Sequence, residues 1–114
     1  MKAVLSKNET IIASDVYKAD NIIKRTLGLL GKKTLENSKG LLIVPCNSIH
    51  SIGMQFDFDA VFICKNQKVV YLIEKMKPFK VSPIIFKAIK VLELPEGTIE
   101  KFSIKVDDII EFKD

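Results

Sequence analysis

The sequence predicts a mainly β domain, α+β by content, folded as a compact antiparallel sandwich or barrel-like unit with one or two short helices. Strand-length apolar runs recur at residues 41–44, 60–64 and 69–73, a strand pattern follows at 88–94, and Pro, Gly, Asn or Asp stands at or near their ends. Helix signals are confined to residues 20–30 and 98–103. No apolar run approaches the about 20 residues that cross a bilayer.

The elements follow in order. Residues 2–6 and 10–14 flank the turn formers Lys7, Asn8 and Glu9, which predicts a hairpin with Thr10-Ile11-Ile12-Ala13 as its β-branched return. From Asp20 the period changes. Ile22, Ile23, Leu27 and Leu30 recur at helical spacing, Asp20 or Asn21 is placed to cap, and Gly31 falls where a C-terminal glycine belongs, predicting a helix over 20–30. Gly28 inside that helix costs roughly 1 kcal/mol against alanine, which implies close backbone packing there.

Leu41-Leu42-Ile43-Val44, ended by Pro45, has the pattern of a strand buried on both faces. Residues 60–64 repeat it, and the turn Lys65-Asn66-Gln67-Lys68 returns the chain into 69–73, predicting a second hairpin. Pro78 and Pro83 mark 77–83 as a loop. The strand over 88–94 stops at Pro95. A one- or two-turn helix over 98–103 follows, with Thr98 as its cap and Ile99 and Phe102 turned inward. Asp107-Asp108 turns the chain into a last strand at 109–112.

The 114 residues, 47% hydrophobic and 28% charged, fit one domain, residues 1–114, and leave no length for a second core. Two cysteines are too few for a disulfide framework, and their spacing leaves open whether Cys46 and Cys64 pair. The apolar start Met1-Lys2-Ala3-Val4-Leu5 stops at Ser6 and Lys7, short of a signal-peptide core. A cytoplasmic location without membrane insertion is therefore expected. Net charge is +4, the lysines are dispersed, and Arg25 is the lone arginine. The densest basic stretch holds Lys75, Lys77 and Lys80 beside Phe79. Scattered lysines without further arginines argue against a nucleic-acid partner.

Pro45-Cys46-Asn47-Ser48-Ile49-His50-Ser51-Ile52-Gly53-Met54 gathers the single histidine, one cysteine and a methionine. With Arg25-Thr26-Leu27-Gly28-Leu29-Leu30, Gly40-Leu41-Leu42, Asp59-Ala60-Val61-Phe62 and Val91-Leu92-Glu93-Leu94-Pro95-Glu96-Gly97-Thr98, this segment resembles the family known as domain of unknown function 192. The blocks keep the family's order, and the resemblance covers about residues 16–112. It is similar to the branch whose motif runs cysteine, three residues, histidine, threonine, aromatic, glycine, methionine. Ser51 stands where threonine is usual, Ile52 where an aromatic is usual, and Asp57 replaces a proline. The resemblance implies a small, mainly β domain of uncharacterised biochemistry and supplies no catalytic residues.

Read as an extended segment, residues 48–58 would put His50, Ile52, Met54, Phe56 and Phe58 on one face. His50 is then a half-buried imidazole held by backbone or by a hydroxyl such as Ser51. A metal site built from Cys46 and His50, with Cys64 or Met54, would use suitable soft and imidazole ligands. An extended chain, however, separates Cys46 from His50 by about 13 Å, so no metal and no cofactor is assigned. The same distance weakens Cys46 as a nucleophile with His50 as base. Arg25 suits a buried pairing with Asp59 or Glu93. Arg25, His50, Ser51 and Asp59 form the candidate ligand-binding set, with no catalytic residue. The function expected is a non-enzymatic module that binds a small ligand, peptide or protein through a pocket or sheet edge. The alternative is a thiol- or metal-dependent enzyme centred on Cys46 and His50.

Overall fold

A computed structural model describes residues 1–20 and 35–114. Among them run eight strands, β1 (Lys2–Leu5), β2 (Thr10–Ala13), β3 (Asp15–Ala19), β4 (Lys39–Ile43), β5 (Phe58–Ile63), β6 (Val69–Met76), β7 (Lys90–Pro95) and β8 (Ile110–Lys113). A short helix, α1 (Thr98–Phe102), lies between β7 and β8. The strands form a three-stranded sheet, β2-β1-β8, and a five-stranded sheet, β3-β4-β7-β5-β6. The result is a sandwich. No barrel closes, because β3 and β6 remain the ends of the larger sheet.

The continuous apolar runs are explained by a large sheet covered on both faces. All six residues of β5 are buried. By the two-residue strand period, Val61 and Ile63 enter one core with Ala3, Leu5, Ile12, Leu92 and Ile110, between the two sheets. Phe58, Ala60 and Phe62 enter a second core with Ile43, Ile49, Met54, Phe56, Met76 and Val91. Phe62 packs edge-on against Tyr71 with ring centres 5.5 Å apart. Residues 45–57 and 77–89 contribute Ile49, Met54, Phe56 and Ala88 to this second core, so loops cover what a sheet covers on the other side.

Both expected hairpins are present, as antiparallel β1–β2 and β5–β6. Three features depart from the sequence reading. The pairing of β3 with β4 is parallel, from Asp15 opposite Lys39 to Ala19 opposite Ile43, in a sheet expected to be antiparallel. Parallel neighbours need a long connection, and residues 20–38 supply it.

Residues 48–58 are not one extended segment. The chain turns at Ile52-Gly53, where Gly53 has φ 86° and the Met54 N–H donates to the Ser51 carbonyl at 3.1 Å. That turn exposes Ile52 while Met54, Phe56 and Phe58 stay buried. The cap of α1 also differs. Thr98 Oγ1 donates back to the Pro95 carbonyl at 2.6 Å, and a carboxylate oxygen of Asp59 accepts the Ile99 N–H at 2.8 Å instead. A side chain distant in sequence therefore satisfies a donor of the first helical turn. Ile99 and Phe102 turn toward the core as expected. The helix expected over 20–30 falls from residue 21 onward outside the described residues, and with it Arg25, Gly28 and the expected Arg25 pairing.

Candidate functional site

Residues 45–52 and 77–89 run side by side as an irregular antiparallel ribbon. Cys46 N–H donates to the Ile89 carbonyl, Ile85 N–H to Asn47, Ser82 N–H to Ile49 and Ser51 N–H to Lys80, each at 2.8 Å. His50 faces Val81 across it. Two serines replace the missing ladder regularity. Ser82 Oγ accepts the Ile49 N–H at 2.9 Å. Ser51 Oγ donates to the Lys77 carbonyl at 2.5 Å and accepts the Lys80 N–H at 2.8 Å. The Ser51 carbonyl takes the Phe79 N–H at 2.9 Å. Ser51 is fully buried, so these bonds replace the water it lost on folding.

The ribbon is apolar on both sides. Its inner side supplies Ile49, Met54, Phe56 and Ala88 to the second core, with Ile85 and Cys46 packed against it. Its outer side presents Ile52, Phe79, Val81, Ile84, Phe86 and Ile89, six of the nine strongly exposed large apolar residues among those described. Phe86 is 86% exposed and Phe79 69%. Phe79 also has φ 61°, a left-handed conformation that costs a bulky L-residue about 1–2 kcal/mol, and the Ser51 carbonyl bond holds it there.

Lysines surround these side chains. From residue 75 to 90 there are five lysines and no acidic residue, and residues 45–56 contain no acid either. Lys75, Lys77, Lys80 and Lys87 are exposed. Lys77 Nζ bonds Asp57 at 2.5 Å. That hydrogen bond, reinforced by the carboxylate charge, holds the Lys77 ammonium above its usual range.

Of the sequence candidates, Ser51 and His50 lie on the ribbon. The Ile52 N–H donates to His50 Nδ1 at 3.3 Å, so in this geometry the proton of the neutral ring sits on Nε2. Asp59 is fully buried beneath, on β5. One of its oxygens accepts the Lys75 N–H at 2.9 Å and the other the Ile99 N–H. Cys46 Sγ donates to the Ser48 carbonyl at 3.2 Å. With Pro45, Asn47, Ala88 and Ile89 it lines a shallow cavity of about 260 Å³.

Cys46 and Cys64 are not joined by a disulfide. Cys64 sits at the β5–β6 turn, half-buried rather than in the core. Burial pushes its thiol up, but the backbone amides of Asn66, Lys68 and Cys64 itself, with the Lys68 charge, together leave it below the ordinary thiol value. Among the described residues no group of three or more His, Cys, Asp or Glu side chains is placed to hold a metal ion. No helix there is long and apolar enough to cross a membrane.

The outer ribbon residues are what the sequence reading missed. Their signal is Ile84-Ile85-Phe86, an apolar run enclosed by Pro83 and Lys87 in a segment that has no partner strand in the larger sheet.

The fold and this face define a small β-sandwich domain with one loop-built apolar covering. The chain belongs to the DUF192 family, described as "Uncharacterized ACR", whose profile matches residues 3–112. It is 32% identical over 106 residues to the UPF0127 protein PF1050 of Pyrococcus furiosus, covering 89% of each chain. A crystal structure of a putative transcription regulator from Sinorhizobium meliloti shares the fold with a TM-score of 0.76 at 19% identity, over 96% of this chain and 89% of that one. A protein of unknown function from Novosphingobium aromaticivorans matches with a TM-score of 0.75 at 18% identity, over 85% of this chain and 74% of that one.

Proposed function

We propose that this protein is a non-enzymatic binding module whose partner seats on the outer side of the ribbon, rather than in a pocket or along a sheet edge. The observation that carries this reading is that Ile52, Phe79, Val81, Ile84, Phe86 and Ile89, six of the nine exposed large apolar residues among those described, all lie on the two segments of the ribbon. Exposed apolar side chains scattered singly need no explanation, whereas a contiguous set marks an interaction site. Ser51 and Asp59 act here as positioning residues, since backbone groups engage their polar atoms. His50, opposite Val81, belongs to the contact zone. Arg25 keeps its place as a sequence candidate. Within the family we assign the chain to the Cys-x3-His branch, and we place it in the cytoplasm.

The test is binding of an apolar fluorescent dye to the native protein. Dye should bind the folded wild type, and Phe86→Ser with Phe79→Ser should abolish binding while the melting temperature stays unchanged. Equal dye binding by wild type and variant would overturn the reading.

One observation favours the enzyme alternative: Cys46 lines a cavity open to solvent. If that reading holds, Cys46→Ser removes all chemical turnover of a thiol-reactive ester and spares dye binding.

A further inference from the structure

We infer that the partner of the ribbon is an anionic lipid surface, which Phe79, Ile84 and Phe86 enter to headgroup depth while Lys75, Lys80 and Lys87 meet lipid phosphates. This inference rests on the docking reading above. It adds the chemistry of the partner.

Charge comes first. Residues 45–56 and 75–90 carry five lysines and no carboxylate; of the two acids that border them, Asp57 is paired with Lys77 and Glu74 lies on β6 before Lys75. Such a face attracts an anionic surface, and screening by salt weakens that attraction. Composition then separates lipid from protein. The centres of protein interfaces are enriched in Tyr, Trp, Phe, Met and Arg and depleted in Lys, so the lysines and not the phenylalanines make the distinction. The outer side of the ribbon pairs Phe, Ile and Val with Lys instead, the combination that interfacial membrane binders use. Four of its six apolar residues are aliphatic, which offers little stacking for the bases of a single-stranded nucleic acid.

Preorganisation is the third point. Backbone bonds from Ser51 to Phe79 and Lys80, and from Asn47 to Ile85, hold the tips outward before any partner arrives. Little ordering remains for the moment of contact. The contact is peripheral. The ribbon enters only the headgroup layer.

The experiment is co-sedimentation of the full chain with vesicles of equal parts phosphatidylglycerol and phosphatidylcholine, against vesicles of phosphatidylcholine alone. Binding should favour the mixed vesicles and weaken as salt rises. Lys80→Ala and Lys87→Ala should each lower affinity on the order of fivefold. Phe86→Ser should lower it by about tenfold or more, because that side chain would lose its burial.

The chain has no tryptophan, so Phe86→Trp gives a single fluorophore whose emission should shift to the blue on the mixed vesicles. No sedimentation with the mixed vesicles, or binding indifferent to Phe86, would overturn the lipid assignment. If dye still binds the wild type and not the Phe79/Phe86 variant, the docking reading survives that loss and the partner is a protein. If dye binding fails as well, both readings fall. A reversible dimer that Phe86→Ser dissociates would overturn the lipid assignment in favour of a second copy of this chain.

Discussion

Among the described residues the five-stranded sheet is covered twice, and the two coverings obey different rules. On one face β2-β1-β8 packs as a regular sheet, whose alternation sends Ala3, Leu5, Ile12 and Ile110 inward. Its outer side carries Lys2, Glu111 and Lys113 beside a single exposed apolar residue, Ile11, with Glu111 bonded to Ser6 at 2.7 Å. On the other face the ribbon has no period. It buries Ile49, Met54 and Phe56 and yet keeps Phe79, Val81, Ile84 and Phe86 in water. Strand geometry delivers a polar exterior whenever the sequence alternates. A loop covering has no such automatic sorting, so its exposed apolar residues are set position by position.

The largest effect tests the core that the ribbon protects. Phe62→Ala empties a fully buried site and breaks the contact with Tyr71, and it should cost about 3–5 kcal/mol in urea unfolding. A loss far below that would mean the ribbon collapses to refill the space and is softer than a sheet.

Ser51→Ala comes next. It leaves the part-buried Lys80 N–H and the Lys77 carbonyl short of a partner, at about 1 kcal/mol. Hydrogen exchange should accelerate at the ribbon amides of Phe79, Lys80 and Ser82 before it does in β1 and β8. Equal acceleration in both coverings would erase the distinction between them.

A pH experiment probes the β5–β6 turn, away from the ribbon. The Cys64 thiol lies below its ordinary value in the folded protein, so between the folded and unfolded values the unfolded chain binds more protons. The contribution to stability is therefore complete above the unfolded value and disappears as pH falls through the folded one. In a Cys46→Ser background, iodoacetamide should alkylate Cys64 with a lower midpoint in the folded protein than in the unfolded chain. Lys68→Ala should move the midpoint upward. The smallest effect belongs to Phe86→Ser, whose unfolding free energy should stay within about 0.5 kcal/mol of wild type even as dye and vesicle binding fall.

The strands that are apolar throughout were legible, because burial on two faces leaves a continuous run: β4, β5 and the β5–β6 hairpin follow directly from it. Strand β3 was not. Its residues Asp15, Tyr17 and Lys18 are exposed, and its pairing with β4 is set across residues 20–38 rather than by a turn. The cap of α1 was hidden for the same reason, since Asp59 reaches it from β5. On the ribbon, a positive φ at Gly53 invalidated the period-two face that would have joined His50, Ile52 and Met54. Ser51 and Asp59 could be picked from sequence as unusual polar residues. That their partners are backbone groups is information held only in three dimensions.

Asp59 has a mechanical meaning beyond capping. Opposite it the β5–β6 register shifts, and β6 continues from Lys75 and Met76 straight into the ribbon at Lys77. One oxygen of the carboxylate grips the Lys75 amide and the other grips α1. A pull on the ribbon at Lys75 is therefore felt at the first turn of α1 through one carboxylate, which ties the loop covering to the helix by two hydrogen bonds.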